Sequence, residues 1–253
     1  MVDVLFWPAL LAYGEAAVAY GSTRTARLAT WGVRVGWLMQ TCLLAVQAAD
    51  ADGFPWSTWA ASLNLFVWFV VGAYLIWGCR PRFRLLGLAV MPLAAALFAI
   101  ARLGGSLTAP GGDGYSTLFL TLHVGLVMAA FAGFTLAAGL SVLYLWQERR
   151  LKRRTPDVLR LSLPPLAALE RLARRTIMVS APLLALGVAA GLERARHDHR
   201  PLDALAGVTL LTLAVYAAIV IARPRGRTAS YAALGGFALV VIVRLALAGS
   251  HFS

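Results

Sequence analysis

The chain has 253 residues, of which 60% are hydrophobic and only 13% are charged, and its formal net charge is +12 at pH 7. Soluble domains carry about twice that share of charged residues, roughly 25%. The mean hydropathy is +0.75. These values exclude a soluble globular domain and indicate an integral membrane protein.

Eight apolar stretches follow one another along the chain, most of them near the ~20 residues that a helix needs to cross hydrocarbon. Continuous apolar runs of this length satisfy their backbone groups internally only as helices. The sequence therefore predicts an all-α bundle of about eight transmembrane helices, forming a single domain over residues 1–253. The first stretch, which follows Asp3 and lacks a cleavage pattern, is expected to be a retained helix. The predicted spans are 3–20, 29–49, 59–78, 85–101, 117–146, 176–192, 204–222 and 229–248.

Basic residues are concentrated on one side of this predicted bundle. If the spans alternate in direction, the segments 21–28, 79–84, 147–175 and 223–228 share a side and hold most of the 23 Lys and Arg residues. The positive-inside rule makes this side cytoplasmic and places both termini outside. The net charge is then explained by this bias and by anionic lipid, so we expect membrane lipid as a partner and no nucleic acid.

The long cytoplasmic segment 147–175 is predicted to be a basic amphipathic loop. After Pro164 and Pro165, Leu166, Leu169 and Leu172 recur at helical spacing among charged residues. This pattern is typical of a helix lying on the inner leaflet. Docking of a soluble partner, such as an enzyme of tetrapyrrole synthesis, or of a larger membrane complex is the alternative.

Ionisable residues inside spans are costly and need a partner or a function. Glu15 and Arg34 lie at one depth on neighbouring antiparallel spans, so they are predicted to form a structural intramembrane pair; a proton path is the alternative. Arg244 lies near the outer end of the last span and has no acid on that span.

Sequence motifs for catalysis or redox relay are absent. Cys42 and Cys79 lie at different depths, which excludes a disulfide between them because its Cα atoms must be about 6 Å apart. The chain has no Cys-x-x-Cys, no Cys-x-x-Cys-His and no phosphate-binding glycine motif. We therefore expect a protein that is not an enzyme by itself.

Two histidines are predicted at the outer face. His123 lies just inside the fifth span and His251 just past the eighth, with Arg244 seven residues before it and Arg102 at the end of the fourth span. Two neutral imidazoles can bind the iron of a haem from both sides, and arginine matches the propionates. The alternative is that each histidine is simply an interfacial polar residue.

A second pair of histidines, His197 and His199, forms a His-x-His motif flanked by arginines. Such a pair could bind a divalent metal. Without a third ligand nearby, a hydrated loop is the favoured interpretation.

Four passages resemble the cytochrome c assembly family of CcsA/ResC-like haem-handling membrane proteins, in its shorter HemX-like and YpjD-like branch. The passage at 52–76 contains a Gly-x-Pro turn and closes on Tyr-Leu, and that at 122–154 is a histidine helix followed by a basic run. The passage at 163–192 begins LPPLAALERL, and that at 215–253 contains Arg-Gly-Arg and a terminal Gly-x-His. Their order along the chain is more specific than any single passage.

The resemblance implies a role for the two outer histidines. His123 and His251 match the externally facing histidines proposed as axial haem ligands in the haem-handling members. It also implies partners among cytochrome c assembly components or enzymes of haem synthesis.

The chain departs from the family at three places. The tryptophan-rich WWD segment is replaced by GLERARHDHRPLDALAG, and Gln40-Thr41 stands where relatives often have a histidine in the second span. The histidine expected after the seventh span is replaced by Ile221-Ala222-Arg223. The resemblance therefore implies a haem b-binding accessory or regulatory protein of cytochrome c assembly or haem homeostasis, in the inner (cytoplasmic) membrane, and not a full haem conduit.

Overall fold

The structure is a computed structural model, and it describes residues 2–22, 25–51, 55–56, 58–78, 84–104, 117–153, 164–197 and 204–250. These residues form helices and short connections, with no strand among them. The fold class is therefore all-α. The helices are α1 (Val2–Ala19), α2 (Ala26–Ala49), α3 (Trp59–Ala73, extended by a π-helical turn, Tyr74–Gly78), α4 (Arg84–Leu103), α5 (Thr117–Lys152), α6 (Leu166–His197), α7 (Ala204–Ala222) and α8 (Gly226–Ser250).

Each predicted span coincides with one of these helices. Within the described residues, four segments are long and apolar enough to cross a membrane by length and composition: Trp59–Trp77, Leu85–Leu103, Leu120–Lys152 and Leu166–Glu193. Val4–Ala19 and Ala206–Ala222 are shorter apolar helices. The chain is thus a helical membrane protein, while eight spans and external termini stay predictions.

Two helices are longer than their predicted spans by six residues or more at one end. Helix α5 extends to Lys152, and α6 begins at Leu166 instead of 176. A span predicted from hydropathy ends at the first charged residues. The helix itself can continue, because oppositely charged side chains four residues apart can pair. In α5, Lys152 Nζ lies 2.9 Å from Glu148 Oε1. The segment predicted to lie on the leaflet is the start of α6, and its Leu169 is fully buried.

The chain was predicted to be one domain, and its contacts divide it into two compact units, Met1–Thr121 and Leu122–Ser253. Unit 1 contains α1 to α4, and unit 2 contains most of α5 together with α6 to α8. Each unit has its own buried core.

In unit 1, α1 packs against α2 and α4, and α3 packs against α2 and α4. The rings of Phe6 on α1 and Phe98 on α4 have centroids 4.6 Å apart. Two turns further along α1, Gly36 of α2 lies against the ring of Tyr13, where a Cβ atom would come within 2.7 Å. A small residue at this position therefore allows the two helices to approach closely.

A buried chain of polar side chains joins α1, α2 and α3. The hydroxyl of Tyr13 donates to Gln40 Oε1 over 2.6 Å, and Gln40 Nε2 donates to Asn64 Oδ1 over 2.7 Å. Asn64 Nδ2 donates in turn to Gln47 Oε1 over 3.2 Å. All four side chains are buried. Gln40 and Asn64 each accept and donate, whereas Gln47 only accepts and its Nε2 has no partner among the described residues. The chain thus satisfies most of its buried polar atoms and fixes the relative positions of the three helices.

In unit 2, α5, α6 and α7 pack around aromatic and small residues. Phe134 of α5 stacks on Tyr216 of α7, with ring centroids 3.6 Å apart and planes at 7°. Gly133 of α5 faces Ser180 of α6 so closely that a Cβ atom would collide with the hydroxyl. The small residue at 133 therefore lets the two helices approach closely at this level.

Candidate functional site

His123 lies in the second turn of α5 and points towards α6. Its Nδ1 atom is 2.6 Å from the carbonyl oxygen of Gly187. A carbonyl oxygen can only accept, so Nδ1 carries the proton and donates it. In a neutral imidazole the other nitrogen, Nε2, then keeps its lone pair. No residue that the structure describes forms a hydrogen bond with Nε2.

Two glycines of α6 allow the imidazole to approach. A Cβ atom on Gly191 would come within 2.6 Å of His123 Cε1 and within 2.8 Å of its Nδ1. A Cβ atom on Gly187 would come within 2.8 Å of a methyl carbon of Val127. Real Cβ atoms do not approach so closely. Glycine at 191 therefore leaves room for the imidazole, and glycine at 187 lets Val127 of α5 lie close to α6.

The arrangement of His123 is the one that metal-binding histidines usually adopt. A ring nitrogen that donates to a backbone carbonyl fixes the tautomer and the orientation of the ring, and it increases the basicity of the second nitrogen. Half-buried His123 therefore offers one oriented lone pair, at the end of unit 2 where α5 begins.

The other residues of the predicted outer site are described less fully. His251 lies outside the described residues, and Arg244 lies within α8, where only the backbone is described. Arg102, in unit 1, is exposed in the last turn of α4. The structure therefore does not test whether these side chains meet His123.

Helices α5 and α8 extend over similar lengths from a shared ion pair. Arg227 Nε lies 3.3 Å from Glu148 Oε2, which joins the end of α5 to the start of α8. Midway along the unit, Tyr216 of α7 stacks on α5 and faces Gly236 of α8. Along α5, about 25 residues separate Glu148 from His123, which is roughly 37 Å of helix. Along α8, about 23 residues separate Arg227 from Ser250, which is roughly 35 Å. The residue after Ser250 is His251.

Glu15 and Arg34 are not paired in the described part of unit 1. Both side chains are exposed, and the guanidinium of Arg34 lies 5.2 Å from the ring centroid of Trp31 instead. Glu15 points away from α2 because the neighbouring Tyr13 and Ala16 occupy the contact face. The structure therefore does not show the predicted pair.

The second pair of histidines lies at and beyond the end of α6. His197 is the last residue of that helix, its side chain is not described, and His199 lies outside the described residues. Cys42 is exposed on α2, and Cys79 is also outside the described residues.

The opposite end of unit 2 is strongly basic and is held together by two carboxylates. Glu170 Oε1 accepts a hydrogen bond of 2.9 Å from the backbone N–H of Gly226, at the start of α8. Glu148 contacts both Lys152 and Arg227. The hydrogen bond from Arg227 to Tyr231 and the nearby charge of Glu148 raise the pKa of Arg227 above its ordinary value.

Sequence reasoning missed the glycines that support His123. Gly187 and Gly191 form a Gly-x-x-x-Gly pattern, which is a known signal for close helix packing in membranes. It also missed the polar chain of unit 1, although Gln40 and Gln47 lie seven residues apart and thus on one face of α2.

These features define a class: a multi-pass helical membrane protein with an oriented histidine at one end. A family model described as Cytochrome C assembly protein matches residues 56–249. The chain belongs to the cytochrome c assembly family, as the four sequence passages predicted.

Two relatives illustrate the similarity. Protein HemX of Brevibacillus brevis is 32% identical over 177 residues, which cover 66% of this chain and 61% of HemX. Cytochrome c biogenesis protein CcsA of Gloeothece citriformis is 28% identical over 123 residues, which cover 47% of this chain and 38% of CcsA. The chain thus matches less than two thirds of the length of either relative. No solved structure matches it.

Proposed function

We propose that this chain binds a b-type haem near the external face of the inner (cytoplasmic) membrane. His123 and His251 would hold the iron, and Arg244 and Arg102 would hold the propionates. The protein acts in cytochrome c assembly or haem homeostasis as an accessory or regulatory subunit and is not an enzyme by itself.

The hydrogen bond between His123 and Gly187 carries this proposal. It leaves Nε2 as an oriented acceptor with no partner among the described residues. Haem iron is commonly held by a neutral imidazole nitrogen of this kind. A histidine that served only as an interfacial polar residue would not need a glycine on the neighbouring helix, here Gly191, to make room for its ring.

The lengths of α5 and α8 support His251 as the second ligand. The Glu148–Arg227 contact joins the two helices at one end of the unit. From this contact, both helices extend for similar distances towards the other end. The donor set also fits the cofactor, because two histidines saturate a haem iron and arginine forms bidentate hydrogen bonds with carboxylates. When bound, the haem would supply an iron centre with two imidazole ligands.

The role in cytochrome c assembly is supported by the family and by the names of relatives. The family model covers most of the chain, and one relative is named as a cytochrome c biogenesis protein. Other assembly components and haem-synthesis enzymes are therefore the partners that we propose.

Four single substitutions test the ligands, since the chain has four histidines. We expect purified wild-type protein to show the absorbance bands of a low-spin haem. His123→Ala and His251→Ala should each lose the low-spin spectrum, whereas the matched controls His197→Ala and His199→Ala should keep it. An unchanged Soret and α-band in His251→Ala would remove that residue from the site.

A further inference from the structure

A cavity of about 270 Å³ lies at the basic end of unit 2, between the start of α6, the end of α7 and the start of α8. It is smaller than the ~300–1,000 Å³ of pockets that enclose a drug-sized ligand. It can therefore hold part of a long molecule, but it is too small to enclose a tetrapyrrole.

The lining changes from charged to apolar along both helices. On α6, the exposed Arg174 lies at the mouth, and Ile177 and Met178 line the cavity one turn further along the helix. On the other side, the exposed Arg223 follows α7, and Ile219 and Val220 lie one turn before it. Because one turn is about 5.4 Å, the lining matches a molecule with an anionic head and an apolar tail.

The charges at the mouth are available to a ligand. Glu170, which also lines the cavity, is held by the backbone N–H of Gly226. The side chains of Arg174 and Arg223 form no hydrogen bond or ion pair with any residue in the described part of the chain. The mouth therefore presents two uncompensated guanidinium groups, which bind phosphate oxygens in a bidentate manner.

The backbone of Arg223 gives a second, independent indication. Its φ angle is 47°, and it is the only non-glycine residue with positive φ among those described. The left-handed conformation costs a side-chain-bearing residue about 1–2 kcal/mol, and helices usually end with glycine at this position. Strained residues of this kind cluster at binding sites.

We propose that this cavity binds one anionic phospholipid, with the phosphate between Arg174 and Arg223 and an acyl chain along Ile177, Met178, Ile219 and Val220. Basic pockets between membrane helices on the positively charged side commonly bind anionic headgroups. The site lies at the end of unit 2 remote from His123 and does not depend on haem binding.

Native mass spectrometry of the full chain in neutral detergent tests the proposal. The probes are phosphatidylglycerol and phosphatidylcholine with identical acyl chains. We expect one phosphatidylglycerol to be retained in preference to phosphatidylcholine. Its affinity should fall about 30-fold in Arg174→Ala/Arg223→Gly, since each basic residue contributes roughly fivefold.

The double variant Arg175→Ala/Arg225→Ala is the matched control. Like the first variant, it removes one arginine from α6 and one from the connection between α7 and α8. Neither Arg175 nor Arg225 lines the cavity. It should keep the wild-type affinity. Glycine at 223 favours the observed backbone, so the first variant should fold. Ala173→Leu narrows the cavity but keeps both arginines, and it should also lose the lipid. This variant replaces the test if Arg174→Ala/Arg223→Gly does not fold.

Three results would overturn the proposal. Equal losses in the two double variants would show binding to a general basic surface. Equal retention of phosphatidylcholine would remove the role of the headgroup. Displacement of phosphatidylglycerol by inorganic phosphate alone, or by free haemin, would assign the cavity to another anion.

Discussion

The imidazole of His123 donates its Nδ1 proton to the carbonyl oxygen of Gly187 across 2.6 Å, and this contact orients its other nitrogen. It joins α5 and α6 at a level where α6 has glycine at both 187 and 191. The sequence of α6 and the orientation of the histidine on α5 are therefore coupled. This coupling can be tested without changing the histidine.

Gly191→Ala should weaken haem binding although it removes no ligand. The added Cβ atom would come within 2.6 Å of the imidazole, so the ring must move away from its carbonyl acceptor. We expect a loss of haem affinity of about tenfold or more, comparable to the effect of losing a hydrogen-bond partner of a metal ligand. Haem titration followed by absorbance measures the change.

Gly125→Ala is the control for that prediction. Gly125 lies two residues from His123 on the same helix, and nothing lies within 4 Å of its added Cβ atom. It should bind haem like wild type. Equal binding by both variants would mean that the close approach of α6 does not hold the ring.

The same substitution at two buried tyrosines should change stability in opposite directions. Tyr216 is fully buried, and its hydroxyl has no partner among the described residues. Tyr216→Phe should therefore stabilise unit 2 by about 1 kcal/mol. Tyr13→Phe should destabilise unit 1 by about 1 kcal/mol, because it leaves Gln40 Oε1 without its donor.

Unfolding of purified protein in mixed detergent measures both tyrosine variants. A lower stability for Tyr216→Phe would show that its hydroxyl has a partner, such as a bound water. An unchanged stability for Tyr13→Phe would show that the polar chain contributes little.

Asn64→Leu should be the most damaging substitution in the polar chain. Asn64 Oδ1 accepts from Gln40 and its Nδ2 donates to Gln47, so its loss leaves the buried Gln47 Oε1 without a donor. Gln40 Nε2 keeps only the backbone carbonyl oxygen of residue 64 as an acceptor. We expect a destabilisation of about 2–4 kcal/mol. Cys42→Ala is a control, because Cys42 is exposed on α2. A loss below that of Tyr13→Phe would contradict the central position of Asn64.

Glu170 should stabilise the start of α8 through an acceptor oxygen. Glu170→Ala leaves the N–H of Gly226 without its acceptor and should cost about 1 kcal/mol. Glu170→Gln keeps an oxygen at the same position and should cost less. Hydrogen exchange of residues 226–230 measures the effect locally. Equal exchange in both variants would show that charge, and not the hydrogen bond, holds the turn.

Within the described residues, the positions and order of the helices followed from the sequence because long apolar runs have few alternatives to a helix. The end of α5 and the start of α6 could not be predicted from hydropathy. Charged residues end an apolar run, but they can continue a helix by pairing with one another, as Glu148 does with Lys152. The single domain over residues 1–253 stays a prediction, while the contacts form two compact units with a boundary between Thr121 and Leu122.

The candidate site was partly readable from the sequence. His123 was identified from its position near a span end, and the Gly-x-x-x-Gly pattern of α6 was present but was not connected with it. The predicted Glu15–Arg34 pair illustrates the limit. Equal depth follows from residue counts, but a rotation of about 100° between consecutive residues decides whether two side chains face each other. Here Glu15 and Arg34 lie outside the α1–α2 contact.

The reduced-minus-oxidised absorbance spectrum of His123→Gly, recorded with and without added imidazole, tests the central claim most directly. Removal of the side chain leaves space beside Gly187 and Gly191 that free imidazole can fill. We predict that the low-spin α-band of the wild-type protein is lost in the variant and returns with imidazole. A wild-type protein purified without haem from haem-supplied cells, or an α-band that persists in the variant without imidazole, would contradict the assignment of His123 as an iron ligand.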